Sequence, residues 1–462
     1  MNGNSLIEKL LDALNITGEG MRIASGIIIS LGVILILGFL MTRLTKLMKL
    51  PNVTAYIVVG ILIGPFVINL IPGEFIERTD FVSDIALVFI AFAAGEFFKL
   101  ETIKKSIGKV LVITALEAVI TFALIFILCT FAFGLEAQFS LILAALASAT
   151  APTSTIMTIK QTKSQGQYAT TLLEVLAVDS IISLLLYTIS ISIFVGTKGT
   201  GDTALSFADI AWPLAKMFIC LVIGVAFGFA LRFLISSKRT TDNRLIVVIA
   251  VLLLFCGVCS LFGQSPLLGG LAIGTVYTNI PKKEDKLFAQ VNYFIPPIML
   301  VFFVRGGMSL DFSAFTKSSS LTAVPLIVIV LVFLVVRFAG KYGGAYVGGV
   351  ITRQPKETRN FLGFGLIPQA SVAIALATMA ARTLNAYEGG IYEEYASALL
   401  AIILASSIIF ELIGPALAKL GLYLTHSYVP EQVESKHKEP EPSEDGEGEQ
   451  AYTDAAEQYH EE

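Results

Sequence analysis

Glu174 and Asp179 stand in an apolar run from Tyr168 to Phe194, long enough to cross a bilayer. An ionisable residue in such a run is costly and marks a functional site by default. On a helix, five residues at ~100° each put the two carboxylates ~140° apart and ~7.5 Å apart along the axis. They cannot form an acid/base dyad on one face, so each must look to a different neighbour.

Candidate neighbours lie far along the chain. Arg337 and Lys341, in the run near 321–351, are one helical turn apart and share a face. Asp179 lies about eleven residues into its span from one membrane surface, and the two cations roughly nine to thirteen residues from the same surface. A carboxylate and a cation buried at matched depth are expected to pair. Two of each leave the assignment open. Arg337 has the firmer claim to a structural pair, because guanidinium is always charged and grips carboxylate bidentately. If it takes Glu174, Asp179 has no dedicated partner. Burial then favours its neutral form, and it could exchange a proton for a hard cation. The remaining charges read more weakly. Glu96 closes the third apolar run as an interfacial or a cation-path residue, and Glu117 lies inside the fourth, in a packing or a direct role. Arg305, Lys216 and Glu411 lie near span ends, where they are expected to snorkel.

The elements that position these residues follow from composition. The chain has 462 residues, 55% of them hydrophobic and only 15% charged, with a mean hydropathy of +0.78. These values define an all-α polytopic membrane protein and exclude an ordinary soluble domain. Against a span of ~20 residues, about thirteen apolar segments can be counted, starting near Met21, Asn52, Phe81, Gly108, Ala137, Tyr168, Trp212, Arg244, Pro266, Phe288, Leu321, Glu357 and Tyr392. Lys and Arg concentrate in the breaks after the odd-numbered segments. By the positive-inside rule, residues 1–20 are then extracellular, residues 21–425 form the membrane domain, and the C-terminus is cytoplasmic in the plasma (inner) membrane. Residues 426–462, rich in Glu, Ser, Pro and Gly, read as an acidic disordered tail. Residues 1–20 lack the basic n-region and cleavage site of a signal peptide, so the first span is expected to be retained. The net charge of −4 says little, because much of the acid sits in the tail, and no nucleic-acid partner is expected. Cys129, Cys220, Cys256 and Cys259 fall within or at the edges of apolar runs and read as packing residues.

Two spans are interrupted, one in each half. The fifth carries Ser148-Ala149-Thr150-Ala151-Pro152-Thr153-Ser154-Thr155, and the twelfth Gly363-Phe364-Gly365-Leu366-Ile367-Pro368-Gln369-Ala370-Ser371. Proline removes an amide and clashes with the preceding turn, while small and hydroxylated neighbours can satisfy the freed backbone. A pair of such breaks predicts inverted repeats, the second to sixth spans matching the ninth to thirteenth, with the two broken helices crossing at mid-membrane beside the site.

The run Leu50-Pro51-Asn52-Val53-Thr54-Ala55-Tyr56-Ile57-Val58-Val59-Gly60-Ile61-Leu62-Ile63-Gly64-Pro65 resembles the second-helix signature of monovalent cation:proton antiporters. The resemblance continues through Ala94-Gly95-Glu96, Thr150-Ala151-Pro152, the Asp179 helix, Ser265-Pro266-Leu267-Leu268-Gly269-Gly270, Phe302-Phe303-Val304 and Glu411-Leu412-Ile413-Gly414-Pro415. It covers Ile23 to Leu424. It implies that Asp179 binds cation and proton alternately, that Thr150 supplies oxygen ligands, and that Glu174 pairs with Arg337, as in the electroneutral branch. The expected binding set is Asp179, Thr150 and Ser180, with Glu174–Arg337 as a structural ion pair. Glu96, Lys341, Glu117, Pro152, Pro368, Gln369 and Ser371 are expected in support. It also implies a homodimer formed through the second and the seventh to tenth spans.

The departures are Val178, where family members commonly carry Asp, Asn or Gln; Ala151 in the first break; and Gln369-Ala370-Ser371 after the second. Without the double-aspartate pattern, the expectation is electroneutral exchange of Na⁺, or Li⁺ or K⁺, for H⁺ by alternating access. The alternatives are a sodium-coupled organic anion symporter of the same architecture and a non-transporting membrane sensor. An enzyme is not expected, nor a cofactor: His426, His437 and His460 lie beyond the last span, so no His-ligated intramembrane centre can form.

Overall fold

In the computed structural model the apolar runs become helices, and every regular element among the described residues is helical. The described residues are 5–13, 19–47, 52–79, 81–98, 100–199, 207–235, 240–280, 287–310, 321–322, 324–387 and 390–427. In chain order the helices are α1 (Leu6–Ala13), α2 (Glu19–Leu47), α3 (Asn52–Ile63), α4 (Gly73–Arg78), α5 (Phe81–Ala94), α6 (Leu100–Ile127), α7 (Ala137–Ser148), α8 (Pro152–Gln161) and α9 (Gln167–Gly199). There follow α10 (Phe207–Leu234), α11 (Thr241–Leu261), α12 (Leu267–Asn279), α13 (Leu287–Met308), α14 (Leu326–Ile351), α15 (Lys356–Phe361), α16 (Ser371–Asn385) and α17 (Gly390–Leu424). Among the described residues, eight helices are long and apolar enough to cross a membrane, and a ninth span is counted if α15, the 3₁₀ stretch Leu362–Leu366 and α16 act together, bent by 47°. α3, α5 and α7 are shorter apolar helices.

The N-terminal segment is more than a polar leader. α1 buries Ile7 and Leu11, the Leu6 amide donates to the Asn69 carbonyl at 3.0 Å, and Arg22 pairs with Asp12 at 2.6 Å. The acidic tail lies outside the described residues beyond Ser427.

Two interruptions shape the centre. α7 stops at Ser148, Ala149 is extended, and α8 begins at Pro152, where the missing amide costs nothing because the first amides of a helix have no intrahelical acceptor. The second break runs from Ile367 to Ala370, and α16 begins at Ser371. Each break satisfies the other's backbone. The Ala151 amide donates to the Pro368 carbonyl at 2.8 Å, the Thr155 hydroxyl to the Gly365 carbonyl at 2.7 Å, and the Gln369 side-chain amide to the Leu146 carbonyl at 3.1 Å. Gly414 of α17 lets this crossing pack tightly, since a Cβ there would lie 2.6 Å from Pro368 Cγ.

α6 and α14 are pressed together by a stripe of small residues, Gly340, Gly344 and Gly348, facing Thr121, Glu117 and Ile113. Small residues at such spacing let helix backbones meet, which is how helices associate where no hydrophobic force separates helix from lipid. A Cβ on Gly344 would overlap the Glu117 Cα, whereas Gly343 faces open space. Gly344→Ala is therefore expected to cost about 1–3 kcal/mol through overpacking. Gly343→Ala should be neutral, or stabilising by up to ~1 kcal/mol through helix propensity. Thermal unfolding in detergent checks the pair, and equal midpoints would contradict this packing.

Candidate ion-exchange site

Lys341 is at the centre of the buried charges. Its Nζ lies 2.8 Å from Glu117 Oε2, 3.0 Å from Glu117 Oε1 and 3.3 Å from Asp179 Oδ1, and all three side chains are excluded from solvent. Two of these contacts, to Glu117 Oε1 and Asp179 Oδ1, are hydrogen bonds, and the approach to Glu117 Oε2 is an ion pair. The two carboxylates come from α6 and α9, and the cation from α14. Lys341 shares a face of α14 with Gly344 and Gly348, so the glycine stripe that joins α14 to α6 also delivers Glu117 to the ammonium.

Asp179 has two further donors. The Thr150 amide, freed by the break in α7–α8, reaches Asp179 Oδ2 at 3.1 Å, and the Ser183 hydroxyl lies 3.5 Å from Oδ1. Asp179 is thus attached directly to the helix crossing. The expected contribution of Ser180 falls to Ser183, because on a helix the residue four positions on lies over Asp179 while the next residue points ~100° away. The Thr150 hydroxyl turns toward the Leu366 carbonyl at 3.4 Å, so Thr150 serves Asp179 through its backbone.

Arg337 overturns the expected ion pair. Its guanidinium donates to the carbonyls of Ala147, Ala149 and Ile367 at 2.9, 2.8 and 2.8 Å, and lies over the Phe410 ring at 4.5 Å. These carbonyls sit at the C-terminal end of α7 and the end of the 3₁₀ stretch, where backbone acceptors lack intrahelical partners and the helix dipole is negative. One planar fork caps both broken helices at once. Glu174, 7% exposed, forms no ion pair with Arg337 and has Ser106 of α6 as its polar neighbour. The physical reason is the demand of the crossing: orphaned buried carbonyls each cost about 1–3 kcal/mol, and they outcompete a carboxylate that a hydroxyl can satisfy.

The supporting residues divide. Pro152, Pro368, Gln369 and Ser371 all build the crossing, with Gln369 Oε1 also accepting from Ser406 of α17 at 3.3 Å. Glu96 lies on a 3₁₀ turn, Gly95–Phe97, packed against α12. Two residues expected to snorkel are buried instead. Arg305, 5% exposed, donates to the Ile76 carbonyl at 2.8 and 3.2 Å and to Ser83 at 3.1 Å, tying α13 to α4 and α5. Glu411, 3% exposed, accepts from Ser154 of α8 at 2.6 Å. Lys216 lies over the Trp212 ring at 5.6 Å. Cys129, Cys220, Cys256 and Cys259 are buried and free. The signal that could have joined Glu117 to Lys341 was the Gly340-Gly344-Gly348 spacing, which places a helix with a buried carboxylate against the helix with the buried lysine.

Broken helices crossing beside a buried acid–base cluster in an all-helical, multi-pass membrane protein define an ion carrier of the antiporter class. The sodium/hydrogen exchanger family, transmembrane, matches residues 31–419, and the chain belongs to it. Its activity is therefore cation:proton exchange. Among characterised relatives, the chain is 25% identical over 379 residues to the ammonium/H⁺ antiporter subunit AmhT of Alkalihalophilus pseudofirmus, covering 81% of this chain and 91% of that one. It is 23% identical over 382 residues to a Na⁺/H⁺ antiporter of Enterococcus hirae, covering 80% and 93%. The fold is similar to that of the sodium proton antiporter MjNhaP1 of Methanocaldococcus jannaschii at pH 8, with a TM-score of 0.67, 18% identity and coverage of 87% of this chain and all of that one.

Proposed function

We propose that the protein exchanges one monovalent cation, Na⁺ first among Na⁺, Li⁺ and K⁺, for one proton by alternating access, with Asp179 as the group that binds each in turn. The observation that carries this reading is the asymmetry of Lys341. It touches both oxygens of Glu117 but only one of Asp179, at 3.3 Å. A proton or a cation arriving at Asp179 can take that weaker contact away while Lys341 keeps its charge on Glu117. Asp179, Glu117, Lys341 and Arg337 sum to zero when all are ionised. Either loaded state then carries the same added charge, which supports electroneutral exchange by a route other than a Glu174–Arg337 pair. Because Thr150 of the crossing donates to Asp179, neutralising that carboxylate also changes how the broken helices are held.

The Lys and Arg distribution supports an extracellular N-terminus and a cytoplasmic C-terminus in the inner membrane. The apolar side chains exposed on α10 and α11, among them Phe218, Phe229, Phe233, Ile246 and Leu254, provide a face for lipid and for a second copy in a homodimer.

Purified protein in sealed vesicles tests the exchange. Na⁺, Li⁺, K⁺ and NH₄⁺ are each added across a pH range while luminal pH and membrane potential are read with separate dyes. Proton movement driven by Na⁺ with no potential is the expected result. A clear Na⁺-dependent potential would overturn the one-for-one stoichiometry and leave exchange standing. No cation-driven proton movement under any condition would overturn exchange itself.

A further inference from the structure

The exchange reading uses Asp179, Glu117 and Lys341, but the core holds another carboxylate. Glu411 lies on α17, and one of its oxygens accepts the Ser154 hydroxyl from the first turn of α8 at 2.6 Å. The other, Oε2, is buried and has no partner among the described residues. One turn earlier on the same face, the hydroxyl of Ser407 is also fully buried and also lacks a partner. Two unsatisfied oxygens one helical turn apart are uncommon in a packed interior, because each forfeits the full cost of its desolvation.

Among the described side chains no fixed charge answers Glu411; Lys160, six residues beyond Ser154 toward the end of α8, lies outside them. α14 brings Arg337, committed to three carbonyls, and Lys341, committed to Glu117 and Asp179. α16 brings Arg382, which faces Asp84 at 3.4 Å. Lys356, Glu357 and Arg359 lie on α15, which meets the far end of α17, where Gly421 approaches Phe361. α3, α7 and the 3₁₀ stretch Leu362–Leu366 contain no charged residue. The N-terminal dipole of α8 is worth no more than about 2 kcal/mol to an anion. An isolated ionised carboxylate in such surroundings costs far more than that, so it is neutralised or given a counter-ion.

We propose that Glu411, with Ser154 and Ser407, forms a second exchangeable-proton site, separate from Asp179 and wedged between α17 and the first turn of α8. With α8 and α17 closed on each other, as in this structure, Glu411 holds the proton and the O–H is available to Ser407. Loss of that proton leaves a carboxylate that only water or a cation can accommodate, and either must enter between α17 and α8. Since α8 begins at the crossing and Phe410, the residue before Glu411, carries Arg337 on its ring, the site couples proton release to separation of the broken helix from α17.

Infrared difference spectroscopy on the purified full chain tests this without transport. In an Asp179→Asn background, a protonated-carboxyl C=O band is expected at neutral pH. It should shift in D₂O, fade on alkalinisation, and be missing from Asp179→Asn/Glu411→Gln. A band unchanged by Glu411→Gln, or one that never fades, overturns the proposal. If the double variant does not fold, Ser154→Ala removes the hydrogen bond to Oε1 and must move the band; a band that stays put overturns the proposal equally. In vesicles, Glu411→Gln alone should displace the pH profile of exchange by about one unit. The infrared arm depends on Glu411 alone, whereas failure of the wild-type chain to exchange counts against the exchange reading.

Discussion

Asp179→Asn is expected to reduce cation-driven proton movement to the level of protein-free vesicles while leaving the protein folded. The substitution is isosteric. An asparagine oxygen can still accept the Thr150 amide that Asp179 Oδ2 accepts at 3.1 Å. Lys341 keeps both oxygens of Glu117, at 2.8 and 3.0 Å, so its ammonium is not stranded. Only the negative charge is lost, and with it the capacity to bind a proton and a cation in competition. Stranding a buried charge would cost about 3–5 kcal/mol, and this variant avoids that penalty. The measurement is a pH jump in vesicles beside size-exclusion chromatography of the same preparation. A monodisperse variant that exchanges at the wild-type rate would remove Asp179 from the mechanism.

Arg337→Met should do the opposite, harming the fold before the chemistry. The guanidinium serves the carbonyls of Ala147, Ala149 and Ile367, and methionine of similar length serves none. Each buried carbonyl left unpaired costs about 1–3 kcal/mol, so the summed loss approaches the total stability of many domains. The crossing should come apart, with Asp179 losing the backbone geometry at Thr150. Glu174→Gln supplies the contrast. A Glu174–Arg337 ion pair would make these two variants comparably damaging. With Glu174 outside any ion pair and Ser106 its polar neighbour, glutamine keeps the size and an acceptor oxygen, and the expected change is under about 1 kcal/mol. Thermal unfolding of both variants in one detergent decides the matter: similar large losses would restore the ion pair, and a large loss in Arg337→Met alone would support the capping role.

These variants differ because of what one-dimensional patterns can and cannot carry. Apolar run length located the helices, and the two proline segments located the breaks, since both are local properties of backbone and solvent. Burial of Glu174, Asp179, Arg337 and Lys341 could be read for the same reason, being set by how far along an apolar run each residue lies. Pairing could not. Helical periodicity says that Arg337 and Lys341 share a face, but it does not say what that face meets. Arg305 and Glu411 show the related error: position near a span end suggested solvent, yet α4 and α5 cover one and α8 covers the other.

Depth matching suggested a carboxylate for Arg337 because side chains alone were counted. The decisive acceptors were main-chain carbonyls at two helix ends, which become neighbours only when the breaks cross. Glu117 was legible as a buried acid but not as the partner of Lys341 until the glycine stripe set α14 against α6. The sequence by itself therefore determined a helical membrane protein, its two interruptions and the buried ionisable residues from which a site can be made. Only the tertiary structure decided who partners whom, because a buried charge goes to the strongest unmet demand within reach, and reach is set by packing between segments remote in the chain.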